Sequence, residues 1–78
     1  MMTCKFNNVS GSYIVIIGIK TVAEGFFWED GAVHMRPSSI IGTERGLIPT
    51  DSKNWIHQKE DEDLNSLAQR AIDTFKLN

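Results

Sequence analysis

Tyr13-Ile14-Val15-Ile16-Ile17-Gly18-Ile19 is the longest apolar run in the chain, and its reading decides the first half of the fold. The run is rich in β-branched side chains, lies between Gly11-Ser12 and Lys20, and is far shorter than the roughly 20 apolar residues of a membrane span. It therefore reads as a strand. Its odd positions (Tyr13, Val15, Ile17, Ile19) and its even positions Ile14 and Ile16 are both apolar. That pattern predicts a central strand reaching about Thr21 and covered on both faces early on. Gly18 inside a strand marks a bulge or the close approach of another backbone.

Toward the C-terminus the hydrophobic period changes. Leu64, Leu67, Ala68, Ala71, Ile72 and Phe75 follow the i, i+3, i+4, i+7 series that places side chains on one face of a helix. The predicted helix starts between His57 and Glu62 and ends near Phe75 or Lys76. Glu60, Asp61, Glu62 and Asp63 suit its first turn, where carboxylates oppose the partial positive charge of the helix N-terminus.

Between these two signals, Gly25-Phe26-Phe27-Trp28-Glu29-Asp30-Gly31-Ala32-Val33-His34-Met35 reads as a hairpin, because Asp-Gly between β-prone runs favours a two-residue type I′ turn. That register sets Trp28 opposite Val33 and Phe26 opposite Met35, and leaves Phe27 on the outer face. Lys5–Val9 is a further strand candidate. From Arg36 to Ser52 the pattern is interrupted by Pro37, Gly42, Gly46 and Pro49, and reads as a long connection with one or two short strands at most. The fold class that follows is α+β: a small antiparallel meander of three to five strands with one C-terminal amphipathic helix packed on one face. Residues 1–78 form a single domain, with residues 1–56 mainly β and loops and residues 57–78 the helical part.

The chain of 78 residues, 41% apolar and 23% charged, has the composition of a folded globular domain. One sheet and one helix use up so small a core, which favours a binding surface over a deep pocket. The formal charge of -2 is too weak to steer the molecule toward nucleic acid or anionic membranes. Residues 1–53 are balanced. The excess lies in residues 54–78, where Glu60, Asp61, Glu62, Asp63 and Asp73 face Lys59, Arg70 and Lys76. Cys4 is the single cysteine, so no internal disulfide forms, and a cytoplasmic setting is expected. The start Met1-Met2-Thr3-Cys4-Lys5 lacks the apolar stretch of a signal peptide.

Chemistry-bearing residues are sparse. Cys4, His34 and His57 are scattered and form no paired zinc motif, the acidic run lacks the alternating oxygen ligands of a calcium loop, and Gly42-Thr43-Glu44-Arg45-Gly46 lacks the Gly-Lys-Ser/Thr ending of a phosphate loop. No catalytic residue, metal or cofactor is assigned. The leading expectation is a non-enzymatic module that docks onto a larger protein with a basic surface and modulates or inhibits it. Phe27, Glu29 and Asp30 at the hairpin and Glu60, Asp61, Glu62 and Asp63 before the helix would form the contact. Size alone adds the expectation of a phage or mobile-element accessory protein, such as an inhibitor of host defence, and open sheet edges add self-association into a homo-oligomer. The alternative is a nucleic-acid-binding module using Tyr13, Phe27, Arg36, Arg45 and Lys53, against which the net acidity counts. The third is a small enzyme or enzyme subunit using His34 or His57 with a carboxylate.

Overall fold

Five antiparallel strands in one open sheet, in the order β1-β2-β3-β4-β5, carry a C-terminal helix on one face in the computed structural model, which describes residues 1–48 and 50–78. The strands are β1 (Met2–Asn7), β2 (Ser12–Ile17), β3 (Lys20–Phe27), β4 (Val33–Pro37) and β5 (Ile56–His57). Helix α1 (Ser39–Arg45) and a 3₁₀ turn (Ser52–Asn54) lie between β4 and β5, and α2 (Leu64–Phe75) ends the chain. The α+β meander expected from the two hydrophobic periods is thus the observed architecture.

The long apolar run is not one strand. It turns at Gly18-Ile19, with Ile17 and Lys20 paired on either side. Gly18 has φ 64°, the positive value that the first central position of a type II′ turn requires, and the space a Cβ would occupy there is open among the described residues. The irregularity lies across the ladder: Val15 pairs with Ala23 but Ile16 with Thr21, which makes Val22 the extra residue of a bulge. Both Val22 and Ala23 are buried, as expected where a bulge turns two successive side chains toward the same core.

Cross-strand pairing fixes what each face carries. Cys4, Val15 and Ala23 align, as do Phe6, Tyr13, Gly25, Met35 and Ile56. This is the face α2 covers, with Val15, Met35, Leu67, Ala68 and Ala71 fully buried. Helix α1 closes the end of this core with Ile41. It is held by the Ser38 amide donating to the Val22 carbonyl and by Arg45, whose guanidinium donates to the carbonyls of Phe75 and Lys76 at the end of α2. In β2 one residue on each face is buried, Val15 under the helix and Ser12 on the other side, while Tyr13, Ile14, Ile16 and Ile17 are half-buried.

Three boundaries differ from the sequence reading. Helix α2 starts at Leu64 with Asp63 as its N-cap, so the acidic run precedes the helix instead of forming its first turn, and His57 belongs to β5. The segment after Arg36 holds a helix, α1, where a connection with short strands was expected. The hairpin register is shifted by one: Phe27 pairs with Val33 and Phe26 with His34. Trp28 and Ala32 are joined by a backbone hydrogen bond of 2.9 Å around a three-residue loop, Glu29-Asp30-Gly31, with Gly31 at φ 83°. This is the turn-plus-bulge alternative to the two-residue loop. A slip of one residue exchanges faces, so Phe26 and Trp28 lie on the face that α2 leaves open.

Candidate functional site: an aromatic cleft on the open sheet face

The open face is built from two rows of side chains. Lys5, Ile14, Glu24 and Arg36 align across β1 to β4, and Phe26, His34 and His57 across β3 to β5. Trp28, just beyond β3, stacks on the His34 imidazole at 4.6 Å with the rings 13° from parallel. The two imidazoles lie 3.9 Å apart, centre to centre. Trp55, immediately before β5, is 5.7 Å from the Phe26 ring. The Arg36 guanidinium sits over both rings, at 4.8 Å from Phe26 and 4.9 Å from Trp55, within the range of cation–π attraction.

The segment leading into β5 folds back over these strands and closes one side. Asn54 anchors it by donating from Nδ2 to the Ile48 carbonyl at 2.8 Å, and Asp51 caps the 3₁₀ turn by accepting from the Lys53 amide. The result is a cleft of about 360 Å³ lined by Trp28, His34, Arg36, Thr50, Ser52, Trp55 and His57. That volume lies at the lower end of the range of small-ligand sites. It exceeds what the size of the chain leads one to expect.

Among the described lining residues Arg36 is the permanent cation, with Glu24 its partner across β3 and β4 and Asp30 close enough to act on His34. His34 is buried, and its pKa is held below the ordinary histidine value by that burial and by the neighbouring His57, with Asp30 opposing the shift. It is therefore a neutral imidazole at neutral pH.

The residues singled out from the sequence are dispersed. Tyr13 and Phe27 lie on the helix side of the sheet, where they form an aromatic trio with Phe6 at 5.2 to 6.3 Å at the margin of the core. Phe27 is indeed exposed, but Trp28, expected to be buried, is exposed to the same degree, 54% against 55%. Arg36 alone of the loop cations is in the cleft. Arg45 clamps α2, and Lys53 lies 3.7 Å from Asp51. The acidic run is divided as well. Glu62 is gripped by Arg70 through two hydrogen bonds of 2.7 and 2.9 Å, which lowers its pKa to about 2, and Asp63 caps α2 by accepting from the Ser66 amide. Glu60 and Asp61 remain exposed, as do Glu29 and Asp30 at the hairpin tip. Gln58 links the two acidic regions: its side chain accepts from the Val33 amide and donates to the Glu62 carbonyl.

Cys4 faces the core beside Val15, and burial raises its thiol pKa, so it joins neither histidine across the sheet. Among the described residues no group of three or more His, Cys, Asp or Glu side chains is placed to hold a metal ion, and no helix is long and apolar enough to cross a membrane. Sequence reasoning missed Trp28, Trp55 and the His34–His57 pair as one unit. The signal that finds them is the three-residue loop, which alone puts Trp28 and His34 on one face. Comparison of the chain with protein-family models, curated proteins and solved structures finds no match.

Proposed function

We propose that the chain is a small non-enzymatic binding module that docks onto a larger protein and modulates it, with the open sheet face as its working surface. The observation that carries this reading is the cleft lined by Trp28, Trp55, His34 and Arg36. Trp and Arg are the residues most enriched where binding energy concentrates, in partly enclosed pockets that an anchor side chain can fill. The Trp28–His34 stack and the placement of Arg36 over two rings hold these side chains in position before any partner arrives, which lowers the ordering cost of association. A modulator or inhibitor of this kind needs no reactive group of its own.

A photo-crosslinking amino acid placed at position 28 tests the reading, with position 19 at the Gly18-Ile19 turn as the control. The expected result is one protein adduct from position 28 and none from position 19. The purified partner should then bind the unmodified chain, and Trp55→Ala should weaken that complex. Equal crosslinking from both positions, or a partner indifferent to Trp55→Ala, would overturn the reading. A second reading uses the exposed carboxylates Glu60 and Asp61 against a basic partner. It is favoured by their making no ion pair among the described residues, and it gives adducts from position 61 and not from position 28.

A further inference from the structure

We infer that the cleft recognises an acidic linear segment of the partner, with a carboxylate placed beside an aromatic or large aliphatic side chain. This deepens the docking proposal and rests on it. The cleft offers two kinds of contact side by side. Trp28 presents more than half its surface to solvent while its other face is held against His34, and this makes a rigid platform for an apolar or planar side chain. Arg36, His34 and His57 bring N–H donors to the lining and Thr50 and Ser52 bring hydroxyls, and a guanidinium with five donors can serve more than one acceptor.

Charge complementarity selects the sign. Arg36 is the permanent charge among the described lining residues, and its cross-strand neighbour Glu24 is turned to the Ser39 amide. A carboxylate finds a fork already oriented between Phe26 and Trp55, and only part of its hydration has to be replaced by chance encounters with mobile donors. The extent of the site selects a peptide over a nucleic-acid strand. Binding a strand calls for a track of cations following successive phosphates, whereas the row leading away from Arg36 runs through Glu24 and Ile14 before reaching Lys5. Glu24 is moreover held at the sheet by the Ser39 amide at 3.2 Å. One carboxylate and one apolar anchor match one guanidinium and one Trp platform.

Selection of short linear peptides from a random display library against the full chain tests this. The expected outcome is enrichment of sequences with Asp, Glu or a terminal carboxylate within two residues of an aromatic or large aliphatic residue. A synthetic peptide from that pool should shift the nuclear magnetic resonance signals of the Trp28 indole and of the His34 and His57 rings. Trp28→Ala should weaken it about 30-fold, the scale of a hot-spot residue. Arg36→Gln should weaken it at least about tenfold, and Arg36→Lys, which keeps the charge but loses the fork, by less. Thermal melting checks that each variant remains folded; if Arg36→Gln does not, the Arg36→Lys and Trp28→Ala results decide. Basic or neutral peptides that bind the same signals and tolerate Arg36→Gln would overturn the acidic chemistry and leave the docking proposal standing. Peptides that map to Glu60 and Asp61, or no enrichment at all, would overturn both. Tighter binding of a single-stranded oligonucleotide to these signals would replace the peptide by nucleic acid.

Discussion

The two faces of the sheet are made of different chemistry. Under α2 the side chains are aliphatic and interlocked: Val15, Val22, Ala23, Val33 and Met35 meet Leu67, Ala68, Ala71 and Ile72, each 2% exposed or less. On the open face there are rings and cations, Phe26, Trp28, His34, Trp55, His57 and Arg36, which touch one another through flat surfaces and leave a cleft between them. A domain of this size has one core, which the aliphatic face supplies, and the aromatic face is the proposed docking surface.

The sharpest way to break this division is to truncate one residue on each face. Leu67 is wholly buried, and Leu67→Ala should lower the unfolding free energy by about 2 to 5 kcal/mol, the range for deleting a buried leucine side chain. Trp28→Ala removes a larger side chain but an exposed one, and should cost no more than about 1 kcal/mol in stability. Denaturant midpoints measure both. Comparable losses would mean that the open face is a second core and not a recognition surface.

A smaller effect concerns the junction of the faces. Arg70 on α2 grips Glu62 and also donates to the His57 carbonyl, which ties the outermost strand of the open face to the helix. Glu62→Gln should cost about 1.5 to 3 kcal/mol, the scale of hydrogen bonds to charged groups. The native Glu62 pKa of about 2 lies below its ordinary 4.5, so the native state resists protonation and the stabilisation is complete above about pH 4.5. It is lost as pH falls from there toward 2. An acid titration of the melting temperature should be flatter in Glu62→Gln than in the parent.

The smallest effect isolates the open face. His34 has its pKa lowered from 6.5, so the unfolded chain takes up a proton more readily than the folded one and stability rises with pH in this window. Burial and then His57 disfavour the charged imidazole, and Asp30 favours it. Between about pH 8 and about pH 5 the melting temperature should fall as pH is lowered, beginning near 6.5, and His34→Gln should reduce that slope. An unchanged slope would assign the pH dependence to the helix side instead.

How much of this was legible varies by region for physical reasons. Leu64, Leu67, Ala68, Ala71, Ile72 and Phe75 are spaced by the helix repeat itself, and all six pack on the sheet. The hairpin was harder because Phe26, Phe27 and Trp28 are all apolar, so neither register is penalised by burying a polar side chain. Gly31 with positive φ suits either loop; what separates the two is Asp30, which a type I′ turn would also place at positive φ and which does not adopt it. Helix α1 carries its end signals, Ser38 as N-cap, Arg45 in the last turn and Gly46 in the left-handed C-cap. Its apolar residues are too few to show a period, and Gly42 in its middle reads as a breaker. The cleft was the least legible part. Trp55 and His57 reach it only through β5, a two-residue strand whose pairing with β4 leaves no local pattern.

The order β1-β2-β3-β4-β5 also carries a consequence for how the molecule assembles and opens. The first three pairings are closed by short turns, so little chain entropy is lost in forming them and they are favoured early in folding. Strand β5 must instead wait for the whole segment from Ser38 to Trp55 to come round, and then gains only two paired residues. The wall of the cleft that holds Trp55 and His57 is thus the last part of the sheet to close. With two paired residues it has the least pairing to hold it against local unfolding, so the proposed docking surface includes a strand that can let go while the aliphatic core stays intact.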